Sequence, residues 1–396
     1  MIVPKVISLL ALLVYPITAF PEFSYRGNAG LELKYFTADP IVADQTGNTI
    51  SASIEPEFYW SFNDADSLVF TPFLRADSAD DSRSHGDIRE LLWLHVGEGW
   101  ELRSGIGKVF WGVTESIHLV DIVNQTDLVE NLDQEDKLGQ PMFWLSVPKD
   151  WGTLDLFALP YFRERTFPGI EGRFRTIPVV DKSLTTYESV DEESHLDWAV
   201  RWSHYVGSLD FGISAFDGTS RDPQFIPKMS DGGQIVLAPH YPQIRQYSVD
   251  IQSVLDAWLL KLEYIHRDFD SADSYNAAVG GFEYTFGSIF DRRADLGVIM
   301  EYLYDSRDEN GGPFQDDLFA GIRIAFNDTQ STELLTGIIG DLHNGARLFT
   351  LEAARRLGDR WTMKLEARAF SSIPDDDPLS SQREDDYVQF SLEYFF

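Results

Sequence analysis

Apolar and polar residues alternate with a period of two along most of this chain, and almost nothing between those stretches repeats with the period of a helix. Over 50 to 62, Ile50, Ala52, Ile54, Pro56, Phe58, Trp60 and Phe62 alternate with Ser51, Ser53, Glu55, Glu57, Tyr59 and Ser61. Successive side chains of a strand point to opposite faces, so this segment has one apolar and one polar face. The last ten residues do the same, with Val388, Phe390, Leu392, Tyr394 and Phe396 on one side. Further candidate strands fall at 25–36, 67–76, 87–96, 100–109, 140–147, 152–161, 195–206, 208–217, 243–254, 257–268, 274–286, 294–304, 315–326, 332–341, 346–356 and 360–370. With the terminal strand at 386–396 the count is eighteen. The faces near 87, 332 and 346 are ambiguous, which leaves sixteen as the alternative.

The connections decide what kind of β protein this is. Tight turns at 63–66, 97–99, 148–151, 207, 255–256, 287–293, 327–331 and 357–359 alternate with longer ones. The longer ones are 37–48, 77–86, 110–138, 162–194, 218–242, 269–273, 305–314, 342–345 and 371–385. Short turns at one end, long loops at the other and an even number of strands are the pattern of a membrane barrel. The expected fold is therefore all-β: a transmembrane antiparallel up-and-down β-barrel of about eighteen strands. That leaves about 21 residues for each strand and its connection, which suits membrane strands of about 9–11 residues. No segment approaches about 18 consecutive apolar residues, so a helical span is not expected.

The first residues, MIVPKVISLLALLVYPITA, place Lys5 before an apolar run from Val6 to Tyr15, with Pro16 ahead of Ala19. This reads as a secretory signal, residues 1–19, with cleavage after Ala19. Residues 20–396 then form one barrel domain, with no room before the first strand for a plug or hatch. With an export signal at the other end, the closing strand resembles the terminal strand of Gram-negative outer-membrane β-barrels. In that class the terminal aromatic and its alternating pattern are read by the barrel-assembly machinery. The resemblance implies an assembly signal at Tyr394 and Phe396, an outer-membrane location, and contact with outer-membrane lipid and lipopolysaccharide.

Composition fits that picture. Aromatic residues make up 14% of the chain, with 28 Phe, 16 Tyr and 10 Trp, yet the mean hydropathy is negative. The chain has no cysteine, which removes thiol and zinc–cysteine chemistry. Sixty-four acids against 32 bases give a net charge of −32, which excludes nucleic acid as a partner because phosphate binding needs a basic surface. The same acidity serves solubility, cation attraction into a pore, or divalent bridging to lipopolysaccharide at the rim.

Mid-strand charges identify the inward face, since a charge facing lipid at the midplane costs about 2–4 kcal/mol. Trp198, Val200 and Trp202 oppose Arg201, and Trp258, Leu260, Leu262 and Tyr264 oppose Lys261 and Glu263. Likewise Leu318, Ala320, Ile322, Ile324 and Phe326 oppose Arg323, and Trp361, Met363, Leu365 and Ala367 oppose Lys364, Glu366 and Arg368. The third long loop, 110–138, carries Glu115, Asp121, Asp127, Glu130, Asp133, Glu135 and Asp136 among many aliphatics, so it should fold against something. General porins fold their third long loop into the barrel, and the positional resemblance makes this segment an acidic constriction. It would face Arg103, Arg201, Arg323 and Arg368; the alternative is an external cap.

Catalytic chemistry is sparse. His118 has Ser116 and Asp121 nearby in sequence, but adjacency does not establish a triad. The chain lacks GxSxG, HExxH and phosphate-loop motifs. Asp375 to Asp377, Asp385 with Asp386, and Asp316 with Asp317 offer oxygen ligands for a divalent cation without the spacing of a calcium loop, so no cofactor or metal site is assigned. The expected function is a porin-like channel for passive diffusion of small hydrophilic or charged solutes, as a monomer or an oligomer, and not an enzyme. The alternatives are an adhesion barrel acting through loops 162–194 and 218–242 and, behind it, a barrel hydrolase.

Overall fold

The computed structural model describes residues 22–289, 293–307 and 311–396; the signal read at 1–19 lies outside the described residues. The barrel strands are β1 (Glu22–Phe36), β2 (Thr49–Ser61), β3 (Asp66–Asp77), β4 (Gly86–Gly97), β5 (Trp100–Gly107), β6 (Gln140–Lys149) and β7 (Gly152–Leu159). A two-residue strand, β8 (Thr186–Tyr187), follows in the fourth long loop. The barrel resumes with β9 (Asp197–Val206) and β10 (Leu209–Thr219), and the fifth long loop holds β11 (Gln224–Met229) and β12 (Ile235–Tyr241). It continues through β13 (Gln243–Leu255), β14 (Trp258–Phe269), β15 (Tyr275–Ile289), β16 (Ala294–Asp305), β17 (Asp316–Ala325), β18 (Glu333–Asp341), β19 (Arg347–Leu357), β20 (Trp361–Ser371) and β21 (Tyr387–Phe395). Among the described residues the only helical pieces are short 3-10 turns.

Eighteen strands form one antiparallel sheet, each paired to the next, and β1 pairs with β21 to close it. Closure matters because an open edge within lipid would leave backbone groups without partners. The seam runs in register from Asn28 opposite Phe395 to Phe36 opposite Tyr387. The Gly27 and Phe396 backbones exchange two further hydrogen bonds, of 3.1 and 3.0 Å. The apolar face of the terminal strand looks outward, and the fully buried Tyr387 looks in.

Outward side chains form an exposed apolar belt, including Leu31, Leu33, Ile54, Leu260, Leu262, Ile322, Ile338 and Leu365. Aromatic rings gather at the short-turn end. Trp258 lies 4.7 Å from Tyr284, Tyr284 lies 4.7 Å from Phe286, and Trp361 lies 4.9 Å from Tyr394. Exposed Tyr35, Tyr264, Tyr302 and Tyr304 stand towards the other end. Such a belt with aromatic girdles is what lipid contact selects. No helix among the described residues is long and apolar enough to cross a membrane; the strands do the crossing.

Two features depart from simple alternation. A bulge where β3 meets β4, between Thr71 and Pro72, shifts the phase of β4, which is why its faces read ambiguously. In the extracellular loops β11 pairs with β12 and β12 with β8, a small second sheet where plain loops were expected at 162–194 and 218–242. Placing Arg at Leu262 on the belt should cost about 2–4 kcal/mol. Placing Arg at the inward Gln252 should change stability by less than about 0.5 kcal/mol. Urea titration of the barrel folded into vesicles reads both.

Candidate functional site

Eighteen strands enclose an interior too wide for wall side chains to fill. Here one half of it is filled by the third long loop. After β5 the chain turns inward, and Val109, Trp111, Val120, Ile122 and Val123 pack against inward Met142, Phe157, Phe216, Ile244 and Ile265. Further round, Ile117 and Leu119 pack on a patch of Val279, Ile299, Leu303, Phe319 and Ile339. Each such side chain taken from water stabilises by about 1.5–3 kcal/mol, so the aliphatics that marked this loop in sequence hold it inside the barrel.

Polar contacts fix its path. The buried Glu263 carboxylate on β14 accepts from the Val113 and Thr114 amides at 2.7 and 3.1 Å, the Thr114 hydroxyl at 2.7 Å and the Val120 amide at 3.1 Å. Glu301 on β16 accepts from the Glu115 and Ser116 amides at 2.8 Å each and the Ser116 hydroxyl at 2.7 Å. Hydrogen bonds to an ionised acceptor are the strong kind. Gly112 makes the close approach: a Cβ there would sit 3.1 Å from Glu263 and 2.9 Å from His118, at a φ of +147° that side chains rarely adopt.

The loop then crosses to other walls. Glu115 pairs with Arg323 at 2.6 Å and Lys261 at 3.4 Å. Arg221 donates to the Val123 carbonyl. Asp127 meets Arg89 at 2.7 Å and His85 at 3.1 Å, and Glu130 meets Arg75 at 2.7 Å. At the far side Asn131 donates to Glu366 and Asp133 pairs with Arg368, both at 3.2 Å. The segment thus touches β3, β4, β14, β16, β17 and β20, a span across the lumen and not an external cap.

The acids expected to line the constriction sort into two groups. Asp127 and Glu130 are buried and meet arginines, and Asp121, whose side chain is 1% exposed, pairs with Lys137 at 3.1 Å. Glu115 is largely covered between Lys261 and Arg323, and Glu263 is enclosed beneath the loop. The water-facing acids are Glu135, whose side chain is 67% exposed, and Asp136. They border a space of about 460 Å3 that also meets Glu55 on β2, Lys108 and His118. Of the inward bases, Lys261, Arg323 and Arg368 pair with loop acids, and Arg201 lies over the Trp111 ring of the loop, 5.3 Å from its centre. Arg103 pairs with Glu101, Arg201 clasps Asp250 with two bonds of 2.6 and 2.8 Å, and Lys364 pairs with Glu393. Tyr394 and Phe396 sit at the seam's short-turn end.

Glu301, Arg75, Arg83, Arg89 and Arg221 were missed as anchors. Glu301 between Met300 and Tyr302 is a lone charge on an apolar strand, and that signal was available in the sequence. The arginine partners were not legible, because each lies tens of residues from the group it meets.

Loop charges are tuned by this setting. Burial alone would raise Asp127, but the hydrogen bond from His85 and the Arg89 charge hold it near 2. Burial also works against protonated His118, yet Glu135 and Glu263 push it up to about 9. Asp136 meets pore water but lies deep in the barrel, and that depth, with Asp133 and Glu130 beside it, pushes its carboxyl up to about 7.

His85, Asp127 and Glu130 offer ligand atoms within 4.8 Å of one another. Arg89 and Arg75 already hold those carboxylates, and their charge opposes a cation there. The Ser, His and Asp near 118 do not form a triad, since the Ser116 hydroxyl donates to Glu301 and Asp121 pairs with Lys137.

A closed 18-strand antiparallel barrel with an apolar outer belt and a lumen-crossing third long loop defines a transmembrane β-barrel of the outer-membrane type. No family model matches the chain, and no curated protein matches it. Among solved structures it is similar to Salmonella typhi OmpF in complex with daunomycin, at 11% identity and TM-score 0.49, over 95% of this chain and 98% of that one. A loop L8 deletion mutant of OmpT, an outer membrane protein of Vibrio cholerae, gives 10% identity and TM-score 0.49 over 95% and 99%. A mutant of Rh. blastica porin gives 10% and 0.47 over 95% and 100%.

Glu263→Ala would strip the acceptor from three loop amides, each costing about 1–3 kcal/mol if left unpaired. The expected outcome is a barrel that still folds but passes larger, noisier current steps in a planar bilayer. Glu263→Gln, which keeps one acceptor oxygen for Val113 and Thr114 but sets an amide donor against the Val120 N–H, should fall between the parent and Glu263→Ala.

Proposed function

We propose that this protein is a passive diffusion channel for small hydrophilic solutes across the bacterial outer membrane, without catalytic activity. The observation that carries the reading is the loop pinned across the lumen by Glu263 and Glu301, filling one half and leaving an aqueous space beside β2 to β5. Passage there is filtered by size and by the acids at the loop's free edge, Glu135 and Asp136, opposite Glu55 and Lys108. Carboxylates in a narrow low-dielectric passage favour cations. We assign outer-membrane lipid, lipopolysaccharide and the barrel-assembly machinery as its partners, and the reading requires no cofactor.

A second reading has its own support. The loop sheet exposes Phe225, Ile226, Met229 and Ile235 to solvent, an apolar group that a protein-binding rim would use. Protease trimming of loops 162–194 and 218–242 separates the two. Lost adhesion with intact conductance supports the rim; unchanged behaviour in both leaves the channel alone.

Reversal potentials under a KCl gradient test the channel. Steady steps with cation preference are expected, reduced several-fold in Glu135→Gln/Asp136→Asn; anion preference or silence from a folded barrel would contradict it. Because Asp136 loses its proton near pH 7, negative charge on the loop edge grows as pH rises. Cation preference should therefore increase from about pH 5.5 to about pH 8.5, with His118 protonated throughout most of that window. Asp136→Asn should flatten the profile.

A further inference from the structure

We propose that the cavity at the extracellular mouth is a binding site for small organic acids with an apolar body. It measures about 270 Å3 and lies between residues 128–134 of the third loop and the fourth, fifth, seventh and ninth loops. That volume is near the lower end for small-molecule pockets. Phe174, Phe225, Phe314 and Phe370 wall it from four separate elements. Phe225 is 40% exposed, so one side of the cavity meets solvent.

Its charged wall consists of Arg165, Arg175 and Arg368, with no carboxylate among the described residues. This is notable in a chain with 64 acids and 32 bases. Arg368 is committed to Asp133, Glu352 and Glu366, and Arg165 to Asp222 at 2.7 Å. Arg175 is not so committed. Its side chain is only 8% exposed, one Nη donates to the Thr176 carbonyl at 3.3 Å, and the other lies 3.8 Å from Asp44, itself 65% exposed.

The Nε of Arg175 is buried and has no partner among the described residues. The Thr176 hydroxyl and the Gln382 side-chain oxygen, also of this cavity's wall, are in the same condition. An unmade buried hydrogen bond costs about 1–3 kcal/mol, so three around one cavity call for a ligand. A carboxylate can accept from the planar Arg175 fork and from the Thr176 hydroxyl together. An apolar body then dries the phenylalanine walls, and a hydroxyl or amine on the ligand can donate to Gln382. A cation would meet three guanidiniums, and water would leave four aromatic faces wet.

The test uses the full barrel in lipid nanodiscs, titrated calorimetrically with 4-phenylbutyrate, with acetate and 4-phenylbutanol as the partners lacking the body or the charge. Saturable binding at one site is expected, with both reference compounds about tenfold weaker and Arg175→Met weakening the acid about tenfold. Thr176→Val, a change of similar volume, should weaken it about threefold and keeps the test open if the Arg175 variant does not fold. Equal binding of 4-phenylbutanol, an unaffected folded Arg175→Met barrel, or no saturable binding overturns the proposal. Binding without conductance would remove the channel reading and leave this site; conductance without binding would do the reverse.

Discussion

Carboxylates enclosed in a barrel need hydrogen-bond donors, and in this chain the donors are backbone amides of its own third long loop. Glu263 and Glu301 lie at alternate-face positions where β14 and β16 turn side chains inward, and both are almost completely shielded from water. Left bare, each would carry a large desolvation penalty. Seven donations from residues 113 to 120 replace the lost water. Wall and loop are therefore thermodynamically joined, since removing either leaves charged or polar groups buried without partners.

That junction divides the interior. From β6 to β18 much of the inward face is apolar and works as an ordinary protein core, with the loop as its other layer. The opposite side, around Glu55, Arg89, Lys108, Glu135 and Asp136, is polar and open. A second tier of ion pairs closes the arrangement above. Arg173 of the fourth loop reaches Asp385 of the ninth at 2.8 Å, and Arg75 and Arg83 gather Glu32, Asp77 and Glu130. The acidity of the chain is thus unevenly distributed in effect. Many acids neutralise arginines inside, and a few at the loop edge keep their field for the pore.

The eighteen strands were legible, with ambiguous faces only near 87, 332 and 346, because a lipid-facing side must be apolar along its whole length, and period two survives without knowledge of tertiary contacts. The inward folding of 110–138 was legible from aliphatics such as Val120, Ile122 and Val123, which have no reason to stand in water. What escaped was pairing. Asp127 reads as a pore acid until Arg89 and His85 are placed beside it, and nothing local announces either. The inward apolar residues Val279, Ile299 and Phe319 were not legible either, because residues apolar on both faces of a strand carry no alternation. The loop sheet of β8, β11 and β12 was hidden by Pro227, Pro239 and the polar residues around short apolar runs.

The most direct measurement is chemical cross-linking of loop to wall. The chain has no cysteine of its own, so Ser116→Cys with Glu301→Cys gives a single reactive pair. A short bifunctional thiosulfonate should join the two in the folded barrel and quiet the current steps of the unlinked double variant, because the link replaces the contact that the Glu301 carboxylate makes with residues 115 and 116. Failure to join them, with residue 116 open to bulky maleimides added from outside, would mean that the loop stands clear of the wall and that the divided lumen is wrong.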